Sequence, residues 1–313
     1  MDKKAGQSPR ILEVEGLSVS FVQYGQGLHQ RELQVISDLS LDAGAGEIVA
    51  VVGASGSGKS LLAHAILGIL PRNAEVSGSL RYRGEVLTPE RQRALRGKSI
   101  AFIPQSVSCL DPLMKVGEQV RGVRGTVARQ RSLFKRYGLD PEVEGMYPFE
   151  LSGGMARRVL VSTAVMEDAD LIVADEPTPG LTHDMAVKAM ATFRSIADAG
   201  KAVVVITHDL DLAADVADRI VVFYAGTTLE VANASDFLAG PDGLRHPYSK
   251  ALWRALPQNG FEPVRGTQPY ADDLPSGCLY APRCDRCTEA CVSSGVIPLD
   301  ALRGGKVRCI HAS

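Results

Sequence analysis

The sequence predicts an α/β domain with a largely parallel sheet, and three observations carry that prediction. Short, nearly continuous apolar runs recur as EIVAVVG (Glu47 to Gly53), LIVAD (Leu171 to Asp175) and AVVVITHD (Ala202 to Asp209), the pattern of strands covered on both faces. Helical apolar spacing follows the first two, in SLLAHAILGIL (Ser60 to Leu70) and MAVKAMATFRSIADAG (Met185 to Gly200). Glycine is abundant, at 31 residues, and much of it falls at the ends of these elements.

Taken in order, residues 1–10 are polar and basic and are expected to be flexible. ILEVEGLSVSF (Ile11 to Phe21) alternates with period two, as a half-buried strand does, and a Gly-rich segment, YGQGLHQREL, interrupts before VISDLSLDAG (Val35 to Gly44) resumes strand character. The helix from Ser60 is expected to end at Pro71. SIAFIPQ (Ser99 to Gln105) is the next strand, the stretch from Val116 to Tyr147 is charged and mostly helical, and Met155 to Met166 is a helix. Asp211 to Arg219 is a short helix before the strand IVVFYAG (Ile220 to Gly226), whose turn leads into TTLEVA. From about residue 240 the chain turns rich in Pro, Gly and polar residues, which reads as a linker into a small cysteine-rich tail.

Composition narrows the function classes. At 45% hydrophobic and 22% charged residues the chain is globular rather than disordered. A formal charge of -2 gives no global electrostatic reason to expect a nucleic-acid partner or a polybasic membrane anchor. No apolar run approaches the roughly 18 residues of a spanning helix, so a cytosolic, non-spanning chain is expected. Five of the six cysteines fall between Cys278 and Cys309, with Cys109 alone, which is unlike a secreted disulfide framework.

Two motifs carry the chemistry. GASGSGKS (Gly53 to Ser60) fits the phosphate-binding loop G-x-x-x-x-G-K-[ST], and it lies between a buried strand and a helix start, where the mechanism needs it. Gly53, Gly56 and Gly58 let the backbone wrap phosphate, Ser55 and Leu61 add contacts, Lys59 reaches the outer phosphates, and the Ser60 hydroxyl ligates Mg2+. LIVADE ends a buried strand in two adjacent carboxylates that point in different directions. Asp175 is then a Mg2+ ligand, directly or through water, and Glu176 a general base for the attacking water. A third element, LSGGM (Leu151 to Met155), places Ser152, Gly153 and Gly154 at a helix N-terminus as a second anion-receiving turn without a lysine.

GASGSGKS, the glutamine of FIPQ, LSGGM, LIVADEPT and the histidine of VITHD, in that order, resemble the nucleotide-binding subunit of an ATP-binding cassette (ABC) transporter over roughly Ile11 to Ala239. The resemblance implies a P-loop cassette: a RecA-like core with an antiparallel β edge, a helical subdomain over about 106–165, and a nucleotide-binding domain spanning 11–240. It implies that two cassettes pack head to tail, with the signature turn of one closing over ATP held by the other. Gln105 then senses Mg2+ and the attacking water, and His208 contacts the γ-phosphate. Phe21, or else Tyr24, stacks on adenine. After ADEPT the family usually carries leucine and aspartate, whereas Thr182 holds the aspartate position here. The two ATP sites are therefore expected to be unequal, with this chain paired to a different cassette subunit.

SVSCLDPLMKVGEQV, YPFELSGGM and HPYSKALWRALP (His246 to Pro257) resemble the oligopeptide, dipeptide and nickel importer ATPases. The resemblance implies a function in energising import from the cytoplasmic face of the membrane, with two permease subunits and an extracytoplasmic solute-binding protein as partners. Val107, Leu110, Leu113 and Met114 are candidates to receive a permease helix. The extension 241–313 carries Cys278, Cys284, Cys291 and Cys309 as C-x5-C-x6-C-x17-C, which suits a [4Fe-4S] cluster or tetrahedral zinc. The resemblance favours the cluster, and Cys287 offers a competing grouping with Cys284 and Cys291. The rival readings are a soluble cassette ATPase of DNA repair or translation, and a regulatory partner without turnover.

Overall fold

The structure is a computed structural model that describes residues 9–24 and 29–312, with the side chain of Tyr24 left out. The expected flexibility of residues 1–8, the glycines of the YGQGLHQREL segment and the Tyr24 alternative for adenine stacking lie outside the described residues. Two sheets organise the rest. An antiparallel sheet has the order β2-β1-β4-β5, with β1 at Arg10–Tyr24, β2 at Gln30–Gly44, β4 at Ala74–Tyr82 and β5 at Glu85–Val86. The main sheet has the order β11-β12-β10-β9-β3-β8-β7-β6. In it β6 (Ile100–Ile103), β7 (Leu171–Asp175), β8 (Ala202–Thr207), β3 (Ile48–Val52) and β9 (Arg219–Tyr224) run parallel. β10 (Thr227–Asn233), β12 (Gly305–Val307) and β11 (Asp300–Leu302) continue it antiparallel.

The apolar runs are buried because the main sheet is covered on both faces. Every residue of β3, β7 and β8 is buried. Leu171 and Val173 face a core shared with the antiparallel sheet and α1 (Lys59–Leu67), while Ile172 and Ala174 face a second core. That second core is filled by α3 (Val116–Arg121), α4 (Val127–Arg136), α5 (Gly153–Met166) and α6 (His183–Asp198). α7 (Leu210–Val216) and α8 (Ala234–Leu238) help to enclose a third core at the β9–β10 end.

Several boundaries differ from the sequence reading, each for a local reason. α1 stops at Leu67, not Pro71: Gly68 adopts φ 63°, and its amide bonds Ala65 while Ile69 bonds back to His64. A left-handed glycine closes the helix before proline can act. β4, β5 and α2 (Pro89–Leu95) went unread: in β4, Val76, Leu80 and Tyr82 alternate with Glu75, Ser77, Ser79 and Arg81, but Gly78 interrupts the pattern, and only Tyr82 is fully buried. The stretch from Val116 is broken at Gly122, which has φ 54°. It continues as α4 and a 3-10 turn at Pro141–Gly145.

The first part of the segment expected as a linker is core, whereas Pro257 to Ser276 stays at the surface. Leu244, Arg245, His246 and Tyr248 are buried, and α9 (Pro247–Arg254) packs against β9 and α8 through Tyr248 and Trp253. The tail contributes α10 (Glu289–Ser293) and then β11 and β12, which extend the main sheet through β10. Arg245 bonds Glu230 and Asp236 (3.2 and 3.0 Å) and reaches the carbonyl of Leu302 at 2.8 Å.

Candidate active site

The crevice beyond the C-terminal ends of β3, β8 and β7 collects the candidate residues, as the geometry of parallel sheets dictates. The loop after β3 brings Lys59 to the first turn of α1, where its Nζ donates to the carbonyls of Gly53 (2.9 Å) and Ala54 (2.8 Å). Burial pulls the Lys59 ammonium below its ordinary value, and the charges of Glu176 and Asp175 oppose that shift. Gly53 cannot carry a side chain, because a Cβ there would stand 2.1 Å from the carbonyl oxygen of Phe223. Gly56 has φ 76° with open space around it, and Gly58 has φ 95° beside Val35 of β2.

Asp175 ends β7 at 2% exposure. Burial raises its carboxyl above the usual range, and a hydrogen bond with Ser60 works against that. Its Oδ1 is buried with no hydrogen-bond partner. An unpaired buried carboxylate oxygen costs free energy, so Asp175 and Ser60 together suit a divalent cation such as Mg2+. Glu176 takes φ 45°, a conformation that non-glycine residues seldom adopt. Its amide donates to the Ile206 carbonyl at 2.8 Å, which fixes the twist and turns the carboxylate to His208. His208 Nδ1 lies 2.9 Å from Glu176 Oε2, with the imidazole 59% exposed and the carboxylate 10% exposed. Adjacent carboxylates thus do separate work: one faces Ser60, the other a histidine.

Gln105 is exposed just past β6, and its carbonyl accepts from Arg157 at 2.6 Å. Arg157 also donates to the carbonyls of Pro104 (3.2 Å) and Pro179 (3.4 Å), so one buried guanidinium ties α5, the Gln105 loop and the turn before α6. No motif in the sequence assigns Arg157 a role. The available signal was its place on the helix face shared with Leu160 and Ala164, where an arginine needs buried partners.

Ser152 caps α5 and accepts from the Met155 amide at 3.2 Å. Ser152 and Gly153 are exposed, and a Cβ at Gly153 would meet nothing within 4 Å. Phe21 is half-buried against the first core, and its hairpin touches the phosphate loop through Val35. Thr182 precedes α6, exposed and without a capping side-chain bond. Of the residues expected to dock a permease, Leu113 (87% exposed), Met114 and Val107 are open, but Leu110 is not. Leu110 packs into the second core at 5% exposure, because Gln119 folds the loop inward by bonding Asp111 and Met114.

Cys278, Cys284, Cys291 and Cys309 line one small cavity with His246 and His311, while Cys287 is exposed outside it. Burial pushes the Cys278 thiol up to about 11, and the other three cysteines add to the shift. Burial also raises Cys291, but hydrogen bonds from Thr288 outweigh it and bring that thiol below its ordinary value. Among the described residues no three His, Cys, Asp or Glu side chains stand as a ready metal-ligand group.

Residues 36–179 match the family described as ABC transporter, and residues 229–291 match the oligopeptide/dipeptide transporter C-terminal region. The chain is 34% identical to the oligopeptide transport ATP-binding protein OppD of Salmonella typhimurium, over 98% of its own length and 96% of that protein's. It is 33% identical to OppD of Escherichia coli, over 96% and 93% of the two lengths. In fold it is similar to a dimeric cassette bound to ADP and phosphate (TM-score 0.63, 23% identity), covering 72% of this chain and 99% of that one. A nucleotide-free cassette gives TM-score 0.59 at 20% identity, covering 74% and 96%. No helix among the described residues is long and apolar enough to cross a membrane. Neither a repair or translation ATPase nor a partner without turnover gains support from these likenesses: the chain belongs to the ABC transporter family, as an ATPase cassette of its oligopeptide/dipeptide branch.

Proposed function

We propose that this cassette energises import of di- or oligopeptides, working at the cytoplasmic face of the membrane with two permease subunits, a solute-binding protein and a second cassette. The observation that carries the reading is the full-length likeness to oligopeptide transport ATP-binding proteins, and the Glu176–His208 contact and the unpartnered Asp175 oxygen support it. ATP lies along the Gly53–Ser60 loop with Phe21 against adenine. Ser60, Asp175 and Gln105 would hold Mg2+, which would neutralise phosphate charge. Glu176 takes the proton of the attacking water, His208 keeps that carboxylate oriented and meets the γ-phosphate, and Lys59 leaves its two carbonyls for the phosphates. Ser152, Gly153 and Gly154 serve the partner's ATP rather than this chain's own, which accounts for a glycine facing open space. Thr182 lacks the carboxylate that couples the two sites, so the sites are unequal and the partner is a different cassette.

Cys278, Cys284, Cys291 and Cys309 hold a [4Fe-4S] cluster in this reading, with zinc as the competing ion. Four thiols around one cavity with no carboxylate in its lining suit a soft metal. Iron, sulfide and zinc analysis after anaerobic purification distinguishes these: iron and sulfide support the cluster, zinc replaces it, and neither metal removes the assignment. Transport itself is tested in proteoliposomes holding the permeases and both cassettes. Peptide-loaded binding protein is expected to stimulate ATP hydrolysis and peptide uptake; stimulation by a nickel chelate and not by peptide would reassign the cargo.

A further inference from the structure

In the His-Pro-Tyr stretch, His246 to Tyr248, one buried polar atom lacks a hydrogen-bond partner among the described residues: Nε2 of His246. The ring around it is held firmly. His246 is 1% exposed and caps α9 from inside, its Nδ1 accepting from the Tyr248 amide at 3.0 Å. The backbone is fixed as well, because the amides of Arg245 and His246 both donate at 2.9 Å to the buried carboxylate of Glu230. The Tyr280 ring lies 5.9 Å from the imidazole, tilted by 59°. A ring nitrogen that accepts from an amide bears no proton, so the imidazole carries its hydrogen on Nε2. Burial pulls the imidazole down to about 3, and the Arg308 carbonyl opposes that shift without forming a hydrogen bond.

An unpaired N–H at this depth costs free energy, so it calls for an acceptor. His246 lines the small cavity shared by Cys278, Cys284, Cys291 and Cys309, and with Nδ1 engaged, Nε2 is the polar atom its ring has left to offer there. Four side chains around that cavity end in sulfur and none in a carboxylate. With its proton on Nε2 the ring is a donor to sulfur and not a fifth metal ligand, since ligation needs that nitrogen's lone pair. Hydrogen bonds to the sulfurs of a cluster set its potential, because they stabilise the more reduced, more negative state. We propose that His246 tunes the cysteine-held cluster by donating its Nε2–H to a cluster sulfur, so that the start of the C-terminal extension adjusts the reduction potential. The inference rests on the reading of Cys278, Cys284, Cys291 and Cys309 as [4Fe-4S] ligands.

His246→Asn in the full chain, purified anaerobically, keeps a capping oxygen for the Tyr248 amide and withdraws the far N–H. Dithionite titration with redox mediators, read by EPR of the reduced cluster, is expected to find the ratio of reduced to oxidised cluster at the parent's midpoint lowered roughly tenfold, a potential about 59 mV lower for one electron. His246→Gln, whose amide N–H reaches the place of Nε2, should recover most of the difference. A histidine that only caps α9 and fills space predicts parental potential in both variants, and that result overturns the proposal. A drop in His246→Asn that His246→Gln does not recover assigns the effect to packing and overturns it equally. Iron, sulfide and zinc analysis of the parent keeps the two readings apart: a cluster whose potential is unmoved by His246→Asn strikes the role of His246 alone, while zinc, or neither metal, strikes the cluster and this inference with it. Should His246→Asn fail to fold or to hold the cluster, a His311→Ala chain carrying isotope-labelled histidine nitrogen decides, since His246 is then the histidine left in the cavity lining. A weak nitrogen coupling in the EPR echo modulation of its reduced cluster is expected, and the absence of that coupling overturns the proposal.

Discussion

Asp175 and Glu176 show how one peptide step divides labour. Asp175 continues the strand into a dry position beside Ser60, where its unpartnered oxygen destabilises the empty site. Glu176 leaves the strand through a left-handed turn and meets His208 instead. Asp175→Asn is accordingly expected to raise the nucleotide-free unfolding midpoint while cutting ATP hydrolysis by at least about a hundredfold, because it removes an unpaired buried charge and a Mg2+ ligand together. A lowered midpoint, measured by calorimetry, would contradict that account of the carboxylate. These residues were legible because chemistry fixes their type and spacing. Leu110 and Arg157 were not. An apolar residue in a docking loop and a buried arginine on a helix are set by tertiary partners, here the Gln119 bonds and three carbonyls, which leave no local pattern.

At the scale of elements, α5 presents its N-terminus to open space. Ser152 satisfies one amide, and Gly153 has room for a side chain that the chain does not supply. Alanine has the higher helix propensity, so Gly153→Ala should leave the isolated subunit as stable as the parent or up to about 1 kcal/mol more stable. On the proposed head-to-tail pairing the same methyl group would stand where a partner's phosphate is to lie, and ATP turnover of the assembled transporter is expected to fall at least about tenfold. Unchanged turnover in the complex would remove that turn from the composite site. The parallel strands and their helices could be read from periodicity because both faces are buried. β4 escaped because Gly78 breaks its alternation of Val76, Leu80 and Tyr82 with polar residues, and α1 ended early because a glycine conformation outranked a proline three residues on.

At the scale of the whole molecule, the C-terminal extension and the cassette share structure. β12 pairs with β10, Arg308 reaches the Thr228 and Ile297 carbonyls, and the Arg245–Glu230 pair is almost wholly buried, at 2% and 0% exposure. Sequence composition signals where the extension begins, but Pro, Gly and polar content cannot reveal that Arg245 and Tyr248 lie inside. Glu230→Ala removes one of the two carboxylates that face Arg245, Asp236 being the other, and strands the buried amides of Arg245 and His246, so it should cost about 2–5 kcal/mol and lower the unfolding midpoint by several degrees. A surface-like effect below about 1 kcal/mol would mean that the extension is only loosely attached.

The central claim, that this crevice hydrolyses ATP with Glu176 as base, is tested most directly by measuring ATP affinity and ATP turnover side by side for Glu176→Gln in the assembled complex. ATP affinity is expected to match the parent while turnover at this site falls by about 10²–10⁴-fold, the range for loss of a general base. Undiminished hydrolysis at this site, with ATP still bound, would contradict the account.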